Sequence, residues 1–173
     1  MIISVEQAKE LIDLNGWTDK RIKMKLDAIE QTIRSYTHNN FQNRSIRSEC
    51  AVMSQKVYGN VPGLNGGDTI QITESRFSNG LHVVEAIDGN FITVDNTLID
   101  ESHALVTKVE YPADVIDSVV ELMEWNKNFG GKVGIKSETL SRHSVTYEDS
   151  ATLFMGYPVG ILNGLKLYMK ARF

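Results

Sequence analysis

The sequence predicts an α+β protein: a small helical bundle of three to four helices, an antiparallel β domain inserted into it, and an extended β arm before the C-terminal helix. Three observations point there. Apolar residues recur at helical spacing in two long stretches, one beginning at Thr18 and the other at Pro112. Between them the pattern changes to short alternating runs punctuated by Gly, Asn and Pro, the texture of strands and turns. The stretch KVGIKSETLSRHSVTYED, from Lys132 to Asp149, alternates as a strand does but holds too little apolar surface for a core of its own. The expected division is 1–45 with 112–173 as the helical part, including the arm 132–149, and 46–111 as the insert.

Ser4 and Gln7 have capping-box spacing, and Val5, Ala8, Leu11 and Ile12 share one face until Asn15 and Gly16 stop a short first helix. Thr18 and Asp19 cap a second, in which Ile22, Leu26, Ile29, Ile33 and Tyr36 repeat at spacings of four and three. Its Lys20, Arg21, Lys23, Lys25, Asp27 and Glu30 read as a solvated outer face. From Phe41 helical periodicity is lost, and the chain reaches the turn-rich GLNGGD. Strands are expected at Ala51 to Val57, Thr69 to Thr73, Leu81 to Ile87, Phe91 to Asp95 and Ala104 to Tyr111, with a hairpin turn at Asp88-Gly89-Asn90. They suffice for a small open barrel or sandwich.

Pro112 suits the first turn of a third helix, whose buried stripe is Val115, Ile116, Val119, Leu122 and Met123, extended by Trp125 and Phe129 up to Gly130-Gly131. In the arm, one face carries Val133, Ile135, Ser137, Thr139, Ser141, His143, Val145 and Tyr147, and the other Lys136, Glu138, Arg142 and Glu148. Such a strand needs a sheet edge, supplied either by its own subunit, as a hairpin, or by a neighbour. A last helix is expected from Val159 to Ala171. Gly160 and Gly164 weaken it by about 1 kcal/mol each relative to Ala but permit close backbone approach.

Composition bounds the function. At 173 residues, 42% hydrophobic and 23% charged, the chain is globular and large enough for one domain with a modest insertion. The single cysteine, Cys50, leaves no internal disulfide and reads as a core filler. MIISVEQAKELIDL has neither a basic n-region nor a small-residue cleavage site, and no run approaches the roughly 18 apolar residues of a membrane span, so the expectation is a cytosolic chain. Residues 46–111 hold Arg47, Lys56, Arg76 and Lys108 against nine acidic groups, a net of −5 within an overall −4. That balance disfavours a nucleic-acid-binding surface there, because neutralising phosphates takes Lys and Arg.

Nothing predicts catalysis, and no metal or cofactor is expected. His38, His82, His103 and His143 fall in separate elements without ligand spacing. GLNGGD lacks the Lys and Ser/Thr of a phosphate loop, and His143 and Ser144 point to opposite faces of a strand. The pairs Asp114/Asp117 and Glu121/Glu124 read as a solvated helix face. Asn43-Arg44-Ser45 matches a glycosylation acceptor that is idle without a secretory signal.

The order of short helix, long helix, third helix ending in Gly130-Gly131, then Ser137-Glu138-Thr139-Leu140, Ser144-Val145-Thr146-Tyr147, Tyr157-Pro158 and finally Leu165, Tyr168 and Arg172 resembles one family. It is that of the head-tail connector (adaptor, head-completion) proteins of long-tailed bacteriophages and of prophages in Gram-positive bacteria. The SE…SVTY stretch carries the closest likeness; where the family often has Gly and an acidic residue after SE-x-aliphatic, Ser141 and Arg142 stand here. The resemblance implies a structural virion protein, made in the host cytoplasm and placed at the head-tail interface. About twelve copies would form a ring below the portal protein, joined by heterologous contacts. The ring would extend the DNA exit channel and offer a platform to the next connector or tail-completion protein. DNA would pass through without sequence-specific binding.

On this reading Ser137, Glu138, Thr139, Leu140, Ser144, Val145, Thr146 and Tyr147 form the subunit interface. Lys166, Tyr168, Lys170, Arg172 and Phe173 are candidates for portal contact. Glu85, Asp88 and Asp95 would either line the channel or decorate the outside. Two alternatives stand beside it: a ligand-binding β insert using Tyr58, Phe77, Phe91 and Tyr111, and a cytosolic regulatory dimer with exchanged arms.

Overall fold

The computed structural model describes residues 2–130, 137–140, 143–146 and 153–171. The chain divides into two compact units, one of residues up to 39 with those from 111 onward, the other of residues 40–110. The mixed α+β class holds.

The first unit is helical. In α1 (Val5–Leu11) the capping box forms: Gln7 N–H donates to Ser4 Oγ at 3.1 Å and Ser4 N–H to Gln7 Oε1 at 2.9 Å. Thr18 caps α2 (Asp19–Thr37), which ends where His38 enters the left-handed region at φ 51°. The third long element, α3 (Ala113–Phe129), follows Pro112. The helices pack through Ile22, Leu26, Ile29 and Ile33 of α2 and Val115, Val119, Leu122 and Met123 of α3, all buried. Burying each such side chain is worth about 1.5–3 kcal/mol. α1 packs on α2, and α2 on α3.

Three expectations fail in this unit. Leu11 is 56% exposed, because α1 ends there and Ile12 leaves in extended conformation. Phe129 is 42% exposed, so the buried stripe of α3 stops before its last turn. The C-terminal helix is one turn of α-helix, α4 (Val159–Leu162), continued by a 3-10 segment over Asn163–Tyr168; Met169 turns extended. With Gly160 in the helical turn and Gly164 just beyond it, i to i+4 pairing has little to sustain it, and buried Leu162 and Leu165 hold the segment instead.

The second unit is a closed antiparallel barrel with strand order β1 (Gln42–Met53), β2 (Lys56–Tyr58), β5 (Phe91–Val94), β4 (Gly80–Asp88), β3 (Thr69–Thr73) and β6 (Glu101–Val109), the last pairing back to β1. Closure replaces the expected open barrel or sandwich and leaves no edge strand. β1 achieves it by two register shifts against β6, between Gln42 and Arg47 and between Cys50 and Val52. Val52, Val57, Ile70, Ile72, Val84, Ile92, Ala104 and Val106 fill the interior. The single strand expected at Ala51 to Val57 is broken: Ser54 and Gln55 turn the chain at φ 53° and 62°. Glu110 N–H donates to Phe41 C=O at 3.0 Å, so the chain enters and leaves the barrel side by side.

Beyond α3, β7 (Ser137–Leu140) and β8 (His143–Thr146) pair antiparallel, Ser137 opposite Thr146 and Leu140 opposite His143. The expected extended arm is therefore a hairpin over these residues. Alternation with a period of two fits either form, since it does not name the partner. A second two-stranded pair, β9 (Leu153–Phe154) with β10 (Tyr157–Pro158), precedes α4.

Candidate functional site

The residues expected at the subunit interface lie on this hairpin. Ser137, Glu138, Thr139 and Leu140 form one strand, and Ser144, Val145 and Thr146 lie on the other; Tyr147 falls outside the described residues. Among the described residues β7 and β8 pair only with each other. Each strand thus has one side that no other described strand matches.

Of the residues assigned to portal contact, Lys166 and Lys170 are exposed, whereas Arg172 and Phe173 lie outside the described residues. Tyr168 is tied into its own unit: its hydroxyl donates to Asp114 Oδ2 at 2.9 Å, and its carbonyl accepts from Asn39 Nδ2 at 3.1 Å. The hydrogen bond to Asp114 raises the phenol's pKa. Lys170 N–H donates to Thr37 C=O at 2.8 Å, so the last described turn is stitched to the end of α2.

On the barrel, Glu85, Asp88 and Asp95 are all exposed. Asp95 has structural work, since Oδ1 accepts from Val83 N–H at 2.9 Å and from Asn96 Nδ2 at 3.1 Å. Several basic groups of the barrel are engaged locally. Lys108 lies 2.9 Å from Asp68 and 3.5 Å from Glu110, and the hydrogen bond to Asp68 above all raises its pKa. Arg47 donates to Thr107 Oγ1 at 2.8 Å, and the Arg76 guanidinium sits 5.1 Å from the Phe77 ring centre.

The four aromatic residues of the ligand-binding alternative do not gather in the barrel. Tyr58 and Phe91 stack at 5.0 Å across β2 and β5, Phe77 occupies the β3–β4 loop, and Tyr111 belongs to the helical unit.

Sequence reasoning missed two features. Glu30, read as part of the solvated face of α2, is 8% exposed and bonded to Arg34 and Tyr111. The spacing of Glu30 and Arg34, four residues apart on one helix, was the available signal. Burial opposes the charge on Glu30, but Arg34 and the Tyr111 hydroxyl are among the groups that outweigh it and hold the carboxyl below its ordinary value. The second feature is a groove on the helical unit of about 860 Å³, lined by α3, α4 and the end of α1. Apolar Leu11, Ile116, Val120 and Ile161 lie along it, with Asp114, Asp117 and Glu121 on the α3 side.

Cys50 is buried in the barrel, and desolvation pushes its thiol up to about 11, away from nucleophilic chemistry. Among the described residues no group of three or more His, Cys, Asp and Glu could hold a metal ion. No described helix is long and apolar enough to cross a membrane. No family model matches the chain, and no curated protein matches it.

Proposed function

We propose that the chain is a structural assembly protein that joins copies of itself into a ring at the head-tail interface of a long-tailed phage. The ring sits below the portal, extends the DNA exit channel and receives the next connector or tail-completion protein. The hairpin carries this reading. It forms in the stretch of closest family likeness, and a two-stranded ribbon is marginal in water unless a further strand or surface covers it. The two outer strand edges are suited to main-chain pairing with a neighbouring copy. In this reading the hairpin, rather than a fully extended arm, is what one subunit lends to the next.

Electron microscopy of the purified protein mixed with its portal protein tests the proposal, with a variant lacking residues 137–146 alongside. Rings with the intact chain and none with the deletion support it. A chain that leaves the portal unoccupied refutes it, and a fixed dimer in solution favours the arm-exchanged regulatory protein.

A further inference from the structure

We propose that copies of the chain associate head to tail by seating the basic outer face of α2 from one copy in the acid-rimmed apolar groove beside α3 and α4 of the next. The inference rests on the assembly reading above and names the helical surfaces that would join the copies.

The groove has the marks of a surface made to be covered. Leu11, 56% exposed, stands at one side, while Ile116 and Val120 of α3 and Ile161 of α4 are only half covered by their own chain. Gly160 and Gly164 form part of the lining, and a Cβ at either would meet nothing within 4 Å. Neither glycine has the left-handed backbone that would require it. Bare backbone that neither local conformation nor internal packing demands is suited to close approach from outside. Asp117 and Glu121, both exposed, rim the groove.

The complementary surface is on α2. Ile22, Leu26, Ile29 and Ile33 face the unit's own core, so Lys20, Met24, Ala28 and Gln31 fall on the opposite side. Met24 is 64% exposed, an adaptable apolar knob with Lys20 and Lys23 beside it. Arg21 is already engaged over the Trp17 ring at 4.2 Å. Among the described residues Lys20, Lys23, Asp117 and Glu121 make no ion pair, so the first turns of α2 around Met24 offer two lysines to the two acids of the groove, while the exposed Asp27 bounds the basic patch on its C-terminal side. The two surfaces are different patches of one molecule, which makes the contact heterologous: it closes into a ring when the rotation permits.

Charge exchange tests the contact, because the substituted residues are exposed and away from the core. Sedimentation up to millimolar concentration is compared for the wild type, for K20E with K23E, for D117K with E121K, and for an equimolar mixture of the two variants. Each variant alone sets like charge against like and is expected to weaken association at least about tenfold. Mixing restores it, since every contact in an alternating assembly again pairs opposite charges. Two variants that associate as the wild type does, as they would if a different protein occupied the groove, overturn this contact alone. So does a mixture that stays apart while the wild type assembles. A wild type that remains monomeric throughout, with or without its portal, takes down the assembly reading together with the contact.

Discussion

The Tyr111 hydroxyl donates to Glu30 Oε1 at 2.9 Å, and Arg34 Nη2 reaches the same oxygen at 2.8 Å, so the buried Glu30 carboxylate is held from both its own helix and residue 111. Arg34 donates to the Tyr111 oxygen as well. Breaking a buried charged group's hydrogen bonds costs more than the bonds contribute net, because desolvation is left uncompensated. Tyr111→Phe is therefore expected to lower unfolding stability by about 1–3 kcal/mol, read from urea denaturation.

The same carboxylate gives an acid dependence. Folded Glu30 releases its proton more readily than an ordinary glutamate of pKa 4.5, so protonation favours the unfolded chain. Its contribution is complete above that value and disappears as the pH falls through the lower folded pKa. Stability measured downward from pH 5 should fall less steeply for Glu30→Gln than for the wild type, starting from a lower plateau. Equal slopes would show that Glu30 is not among the groups driving acid unfolding.

The turn between β1 and β2 places two residues with side chains, Ser54 and Gln55, in the left-handed region, and Asp100 offsets the strain. Its two carboxylate oxygens accept from Ser54 N–H at 3.0 Å and Gln55 N–H at 2.9 Å. Asp100→Ala is expected to cost about 1–2 kcal/mol. The pair Ser54→Asn with Gln55→Gly suits such a turn better and should recover about 0.5–1 kcal/mol of that loss. Thermal unfolding of the wild type, of Asp100→Ala and of Asp100→Ala with the pair added measures both effects.

Gly59 lies against Cys50: a Cβ there would stand 2.6 Å from the Cys50 sulfur and 3.2 Å from its Cβ. Gly59→Ala should cost about 1–3 kcal/mol through overpacking of the barrel wall. In the background of Cys50→Ala the same change should cost much less, and a double-mutant cycle gives the coupling. Additive losses would place the strain in the backbone rather than in this contact.

If Glu85 and Asp88 line the channel of the proposed ring, replacing both with Lys should slow DNA ejection, because phosphates would then be held along the path. Asp95 is left unchanged in this test, since it supports Val83 N–H. Unaltered ejection kinetics in particles carrying the variant would place these acids on the ring's outer side.

The first three helices were legible because their determinants are local. Ser4 with Gln7, Thr18, and the stripes from Ile22 to Ile33 and Val115 to Met123 all act within a few residues of themselves. Distant partners decided what was misread. The carboxylate that makes Ser54 and Gln55 a turn is 45 residues from Gln55, and the phenol that buries Glu30 is 81 residues away. The hairpin and the extended arm share one alternating pattern, so periodicity could not separate them. The groove was hidden for a similar reason: Leu11 and Ile116 read as core positions until α1 ended early and α4 left the face of α3 half covered.

The bond from Glu110 N–H to the Phe41 carbonyl draws the two ends of the barrel unit together. Once the barrel has folded and joined its own ends, the helical chain has only a short gap to close, where an unfolded excursion of the same length would cost more. An excised barrel, its neighbouring ends bridged by a brief peptide, ought to fold unaided.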